Sequence, residues 1–355
     1  MMSVRSTGAG ILVALLSAAA FATSGPFAKS LMDAGWTPGS VVFLRIGGAA
    51  LLLLVPTLRA LGGRWHLLRS GWSQIVAYGV AAVAVPQLAF FYAVQHLSVG
   101  VALLLEYLGL VLVVAWQCLV GRSLPRVPTV IGIVLAVIGL ALVLDLPLFG
   151  QTGGVQVSGI GVMWGLIAAM GLASFFLLSG HAAKEPLPPL VLAGGGLVVG
   201  GVSFAVLGVT GLLPMTFSTR AVELAGAMLP WWAAVVELAA IAAATAYIAG
   251  IVATRVLGAK LASFVGLSEV MFAVLFAWIL LGELPSPIQL VGGLFILGGV
   301  VAVRTEQARG PEDRSTPLSV EPGCVTREAT SDDLAVVTHD RVELARVDVV
   351  TTQDH

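Results

Sequence analysis

The sequence predicts an all-α integral membrane protein: ten transmembrane helices in two inverted five-helix repeats, with both termini cytoplasmic. Three observations predict it. Hydrophobic residues make up 58% of the 355 and charged residues only 10%, against roughly 45–50% and 25% in a soluble domain. The apolar residues fall into continuous runs of about 20, the length that spans a bilayer core. The basic residues of the links between runs alternate in abundance from one link to the next, as the positive-inside rule requires of loops on alternating sides.

The runs lie at roughly 9–31, 39–61, 72–95, 97–119, 127–148, 157–179, 188–213, 230–252, 258–281 and 286–304. The first follows Arg5 and carries the small residues Ser17 to Ala20, a pattern that also fits a cleaved signal peptide. Its counterpart at the start of the second half assigns it to a retained helix. Asp33 to Pro38 ends it, and Leu58 to Arg69 ends the second run. The third contains Pro86, which predicts a bend. Only Gln95-His96-Leu97-Ser98 separates the third from the fourth. The seventh is glycine-rich from Gly194 to Gly201. Continuous apolar runs, rather than alternation, argue against strands.

With the N-terminus inside, the inner links hold Arg59, Arg64, Arg69, Arg122, Arg126, Lys184, Arg255, Lys260, Arg304 and Arg309. The outer links hold Lys29 and Arg220. One helix more or fewer would scramble every later link. Trp36, Trp65, Trp72, Trp164, Trp231, Trp232 and Trp278 fall near run ends, where amphipathic rings prefer the interface.

Beyond about residue 305 the composition turns polar, with eleven acids and five arginines from Glu306 to His355. This stretch reads as a disordered cytoplasmic tail. The expected organisation is therefore a first repeat over 1–150, a second over 151–305, and the tail over 306–355. A net charge of −1 gives no field to attract nucleic acid. Cys118 and Cys324 suit neither a disulfide framework nor zinc. Fifteen arginines against three lysines read as a GC-rich bacterial genome, hence a multi-pass protein of the bacterial cytoplasmic membrane.

Ala93–Leu144 and Ala253–Arg304 share one layout: a short polar link, an apolar helix with one central glutamate, a proline-bearing turn and a glycine-spaced helix. The first reads Leu103-Leu-Leu-Glu106-Tyr-Leu-Gly109, then Gly121-Arg-Ser-Leu-Pro125, then Gly132 and Gly139. The second reads Phe264-Val-Gly-Leu-Ser-Glu269-Val, then Gly282-Glu-Leu-Pro285, then Gly292-Gly293 and Gly298-Gly299. Five helices per repeat is an odd number, so the second half enters the membrane from the opposite side. Inverted halves of this kind support alternating access.

These residues resemble the EamA-like drug/metabolite transporter family over about residues 9–304. Leu281-Gly-Glu-Leu-Pro-Ser-Pro-Ile-Gln-Leu290 with Gly292-Gly293 resembles the close of one of its halves, and Phe43-Leu44-Arg45 the start of its second helix. Leu105-Glu106-Tyr107-Leu108-Gly109 resembles the fourth helix of its threonine/homoserine exporter branch. Leu110 and Val270 stand where the family often has proline, so a proline-induced helix break loses its cause at both points. The resemblance implies export of small metabolites, amino acids or related compounds.

Four ionisable residues lie well inside the runs, away from their ends: Arg45, Glu106, Glu237 and Glu269. Each costs about 2.5–3.5 kcal/mol to insert, so such groups usually face a cavity or an ion pathway. Glu106 and Glu269 correspond under the repeat and approach the midplane from opposite halves. They serve substrate amine recognition or proton coupling, or else packing as neutral acids, for which Tyr107 is a partner. Glu237 lies about two turns from the outer side, placed to line an outer vestibule. Arg45 either binds a substrate carboxylate or snorkels to the interface. Gln87 and Tyr92 flank the Pro86 bend, and Tyr247 lies in the eighth run; all three are weaker candidates. The glycine-spaced fifth and tenth runs offer close helix packing or a homodimer contact.

No phosphate loop, metal-ligand spacing or nucleophile elbow is present. The reading is thus not an enzyme and needs no cofactor. Any active transport draws on a gradient, and the partners are a small-molecule substrate and the lipid bilayer. The function expected is a proton-coupled secondary transporter in the efflux direction. The alternative is a membrane sensor or scaffold signalling through the tail.

Overall fold

The computed structural model describes residues 4–120, 127–143, 158–179 and 187–307. The Gly121–Pro125 turn, the link with His181, Lys184 and Glu185, and the tail with Cys324 lie outside the described residues.

Helices α1 (Val4–Ala22) and α2 (Ser24–Asp33) form one rod interrupted at Thr23. Next come α3 (Pro38–Leu61) and the short α4 (His66–Ser70). The third long rod joins α5 (Trp72–Ala77), a π-helical segment (Tyr78–Ala84) and α6 (Val85–His96). Then follow α7 (Val99–Val120), α8 (Val127–Val143), α9 (Gly159–Ser179) and α10 (Pro189–Val209). A hairpin of β1 (Val222–Leu224) and β2 (Ala227–Leu229) precedes the eighth rod. That rod joins α11 (Trp231–Val236), a second π segment (Glu237–Thr245) and α12 (Ala246–Gly266). Helices α13 (Ser268–Leu281) and α14 (Pro287–Gln307) close the fold.

Five of these are long and apolar enough to cross a membrane: Gly8–Asp33, Pro38–Leu61, Trp72–His96, Pro189–Val209 and Trp231–Gly258. Five more are apolar but shorter over their described parts, from Val99–Val113 to Pro287–Ala302. Their outward faces are apolar as well. Leu51, Val137, Met271 and Leu294 are all more than 60% exposed, a surface that water would penalise and lipid would not.

The elements depart from the sequence expectation at two places. The eighth and ninth runs are separated by Gly258 alone, at φ 77° and ψ 157°, a conformation only glycine adopts without strain. Helical backbone resumes to Gly266, turns at Leu267 and restarts as α13, so the ninth run is two pieces. The second departure is the hairpin, since no strand was expected. Ala225 and Gly226 both have positive φ, as a type I′ turn demands, and the Ala225 N–H donates to the Leu280 carbonyl at 2.8 Å.

Packing exchanges the halves. The rod α1 packs on α12 and α13, while its counterpart α9 packs on α6 and α7. The first π segment packs on α9 and α10, the second on α1 and α3. The counterparts α3 and α10 pack on each other, as do α8 and α14. Along the α8–α14 seam the glycines meet backbone to backbone. A Cβ on Gly139 would lie 2.6 Å from the Gly292 carbonyl oxygen, and one on Gly299 would lie 2.5 Å from that of Gly132. Both glycine patterns are thereby engaged within one chain.

Candidate functional site

Two irregular helices build the site. In the third rod the π segment ends beside Pro86, whose missing N–H removes a bond from the ladder; a wider turn absorbs that loss. The eighth rod has no proline there. Thr245 donates instead to the Ala240 carbonyl five residues back, at 2.8 Å. A π turn also leaves carbonyls free to bond side chains, and the Ala242 carbonyl accepts from Arg45 Nη2 at 3.1 Å. The two π segments occupy corresponding rods of the two halves.

Between these rods lies a cavity of about 730 Å³. Six of the eight sequence candidates line it: Arg45, Gln87, Glu106, Tyr107, Tyr247 and Glu269. Phe21, Tyr78, Phe90 and Phe175 add an aromatic wall. Arg45, Gln87, Glu106, Tyr107, Tyr247 and Glu269 interact with one another, and the lining extends to Gln74, Leu187 and Arg255, Gln74 lying in the first helix of the third rod. A second hollow, on the outward face of α13, is wholly apolar and lined by residues such as Met271 and Trp278.

Arg45 does not snorkel. It is 3% exposed, and its Nη1 donates to Gln87 Oε1. Its guanidinium carbon lies 5.5 Å from the Phe91 ring centroid, a cation–π contact. No carboxylate among the described residues pairs with it directly, yet its charge is felt by Glu106, Glu237 and Glu269. A guanidinium carries five N–H donors, so donors remain beyond the two engaged. Three carboxyls face one guanidinium. Full ionisation would set three negative charges against one positive one, an imbalance that a cation or protons would relieve.

Glu106 lies in the middle of α7 and bonds to none of the described residues. Glu269 sits in the first turn of α13, where the helix dipole favours a carboxylate, and Tyr107 donates its hydroxyl to Oε2 at 3.0 Å. Tyr247 stands edge-on to Phe21 with centroids 5.2 Å apart.

Two candidates lie outside the cavity. Tyr92 stacks on Trp164 at 4.7 Å between centroids. Glu237 is 9% exposed and accepts from Thr23 Oγ1.

Sequence reasoning missed the closed end of the site. At the far end of the third rod, Lys29 pairs with Glu283. Lys29 also donates to the Leu97 carbonyl at 3.4 Å, and Glu283 Oε2 accepts the Val99 N–H at 3.3 Å. One ion pair thus ties α2, the α6–α7 link and the α13–α14 turn. Nearby, Ser40 Oγ donates to the Thr216 carbonyl at 2.7 Å and Trp36 packs on Phe217 and Trp231, which holds the α10–β1 link down. Glu283 reads in sequence only as part of a turn motif, and Lys29 only as an outer-link charge. Their pairing has no local signal.

Three comparisons with known proteins bear on this arrangement. The EamA-like transporter family pattern matches twice, at residues 8–145 and 159–305. Thirteen chains of solved structures match. One is a crystal structure at TM-score 0.55 and 21% identity, covering 86% of this chain and 98% of that one; the likeness concerns the fold alone. No curated protein matches.

Proposed function

This chain belongs to the EamA-like transporter family, and on that premise we propose that it is a proton-coupled secondary exporter of amino acids or related compounds. A membrane transporter of small molecules is what the family entails. The finer reading rests on one observation: a single cavity is lined by a guanidinium, two carboxyls and several aromatic rings. Such a chamber suits a small zwitterion with an apolar side chain. The substrate carboxylate takes the free donors of Arg45, its ammonium meets Glu106, and the aromatic wall covers the rest.

In this reading the ten apolar helices all span the bacterial cytoplasmic membrane, with both termini in the cytoplasm. The arginine-rich links mark the cytoplasmic side, and the cavity reaches that side at Arg255 and Gln74. Lys29 and Glu283 close the opposite side. The cavity then collects substrate from the cytoplasm, and the exchanged packing of the halves supplies the second, outward-open state. Gradient energy enters as protons that replace or accompany substrate at the carboxyl cluster.

The test is flux in proteoliposomes against a panel of labelled amino acids and small metabolites, with and without an imposed pH gradient. Gradient-dependent flux of a zwitterion, weakened in Glu106→Gln, is the expected result. Flux indifferent to the gradient removes proton coupling, and flux only of compounds lacking an ammonium removes the amino-acid class.

A further inference from the structure

Glu237 does not line the substrate cavity, yet it is the least solvent-exposed carboxyl among the described residues. Its Oε1 accepts from Thr23 Oγ1, while Oε2 is buried with no hydrogen-bond partner. An orphaned oxygen is costly for a carboxylate and far less so for a neutral acid. The residue also sits where two irregular backbones meet. It is the first residue of the second π segment, and Thr23 is the point at which α1 gives way to α2.

Among the described residues the surroundings leave it one electrostatic correspondent. The second π segment packs on α1, α2, α3, α11 and α12. Of the charged and titratable groups on them, Lys29 is engaged by Glu283, and Asp33 answers to Lys29 and Glu283. Tyr247 answers to Arg45, Glu106 and Glu269. Arg59 lies near the far end of α3 and Arg255 far along α12. Helix α11 carries no charge, and neither does α1 among its described side chains. Among the described side chains, the charge that reaches Glu237 is that of Arg45. Arg45 in turn bonds Ala242 in the same π segment and lines the cavity.

We propose that Glu237 is the coupling-proton site, separate from the substrate cavity, and that Arg45 transmits its charge state to Glu106 and Glu269. This rests on the proton-coupled reading above. Binding a proton at Oε2 neutralises Glu237 and leaves Arg45 to the cavity carboxyls and the substrate. Releasing the proton gives Arg45 a competing anion across the π segment. The substrate carboxylate and the ionised Glu237 thereby compete for one guanidinium without sharing a binding pocket. The Thr23 and π-segment irregularities supply a backbone able to respond.

The experiment uses the full chain in proteoliposomes with a labelled amino-acid mixture and compares two modes. Gradient-driven accumulation needs net proton movement; counterflow exchange at equal pH does not. Glu237→Gln should keep exchange and lose accumulation, and Glu237→Asp should recover part of the accumulation. Wild-type flux that ignores the pH gradient overturns the coupled reading itself and this inference with it. A coupled wild type with a Glu237→Gln variant that still accumulates overturns this inference alone, as does a folded variant that loses exchange. A readout free of substrate is infrared difference spectroscopy between acid and alkaline pH. One carboxylic C=O component of the wild-type spectrum should be missing in Glu237→Gln, while those of Glu106 and Glu269 remain. Should that variant fold poorly, Thr23→Val must shift the same band, and an unmoved band overturns the assignment.

Discussion

Glu106 and Glu269 hold corresponding places in the two halves, and their surroundings differ. Glu106 lies midway along an unbroken helix and bonds to none of the described residues. Glu269 begins a helix, just after the turn at Leu267, and holds the Tyr107 hydroxyl. Helices α8 and α14 correspond as well, but they meet as equals, glycine against backbone on both sides. The difference teaches what a repeat conserves. Close packing between counterpart helices is met by small residues on both sides. A binding site for an unsymmetrical molecule gains nothing from symmetry. Arg45 carries the same lesson: its counterpart helix α10 has glycines from Gly194 to Gly201 and no charge.

The equal pair breaks most severely. A Cβ on Gly292 would lie 2.7 Å from the Gly139 carbonyl oxygen and 2.8 Å from the Val143 nitrogen, both backbone atoms. Gly292→Leu should abolish folded, monodisperse protein in size-exclusion chromatography. Gly298→Leu on the same helix, where nothing lies within 4 Å of an added Cβ, should not. Equal behaviour of the two variants would sink the seam.

Next in size is the unsymmetrical charge. Arg45→Met removes the guanidinium that the carboxyls feel, with its bonds to Gln87 and the Ala242 carbonyl, and should cost about 3 kcal/mol or more, at about 1.5–3 kcal/mol for each hydrogen bond to a charged group. Thermal unfolding in detergent measures it, and an unchanged midpoint would mean that the carboxyls are balanced from elsewhere.

The carboxyls themselves come third. Glu106 is free to meet a substrate cation, so Glu106→Gln should raise the KM for flux about 10- to 100-fold, the equivalent of one hydrogen bond between charged groups. Glu269→Gln keeps an acceptor for Tyr107 and should raise KM less. The reverse order would exchange the roles of the two residues. Tyr107→Phe, which makes Glu269 as bare as Glu106, should cost about 1–2 kcal/mol of stability and narrow the contrast between the two Gln variants. Smallest is the closed end. Lys29→Met should cost about 1 kcal/mol or less, because the pair is partly exposed. Lys29→Glu combined with Glu283→Lys should restore it in a double-mutant cycle.

Much of the fold was legible. Apolar segments announce themselves by composition, and Gly282 marks the end of α13 as a left-handed cap at φ 70°. The hairpin was not legible, because six residues and a turn give too little pattern beside the long runs. The helical backbone over 253–257 was hidden because Arg255 and Lys260 resemble a loop, and the second break at Leu267 was hidden because leucine is no breaker. Six of the eight candidate residues share a cavity, since an ionisable group within an apolar helix has few other places to go. Tyr92 and Glu237 show the limit of that argument: a ring can stack and a carboxyl can be buried with a hydroxyl.

The sequence by itself determined where the chain is apolar, where its links are basic and where it repeats. Each is a property of one segment against its solvent, summed residue by residue. Only the tertiary structure decided that Arg45 meets Gln87, Tyr107 meets Glu269 and Lys29 meets Glu283, across separations of 42, 162 and 254 residues. Those meetings depend on how each helix is rotated about its axis and on where a π turn shifts the register. Rotation and register are fixed by the packing of neighbours from both halves, which no single segment encodes.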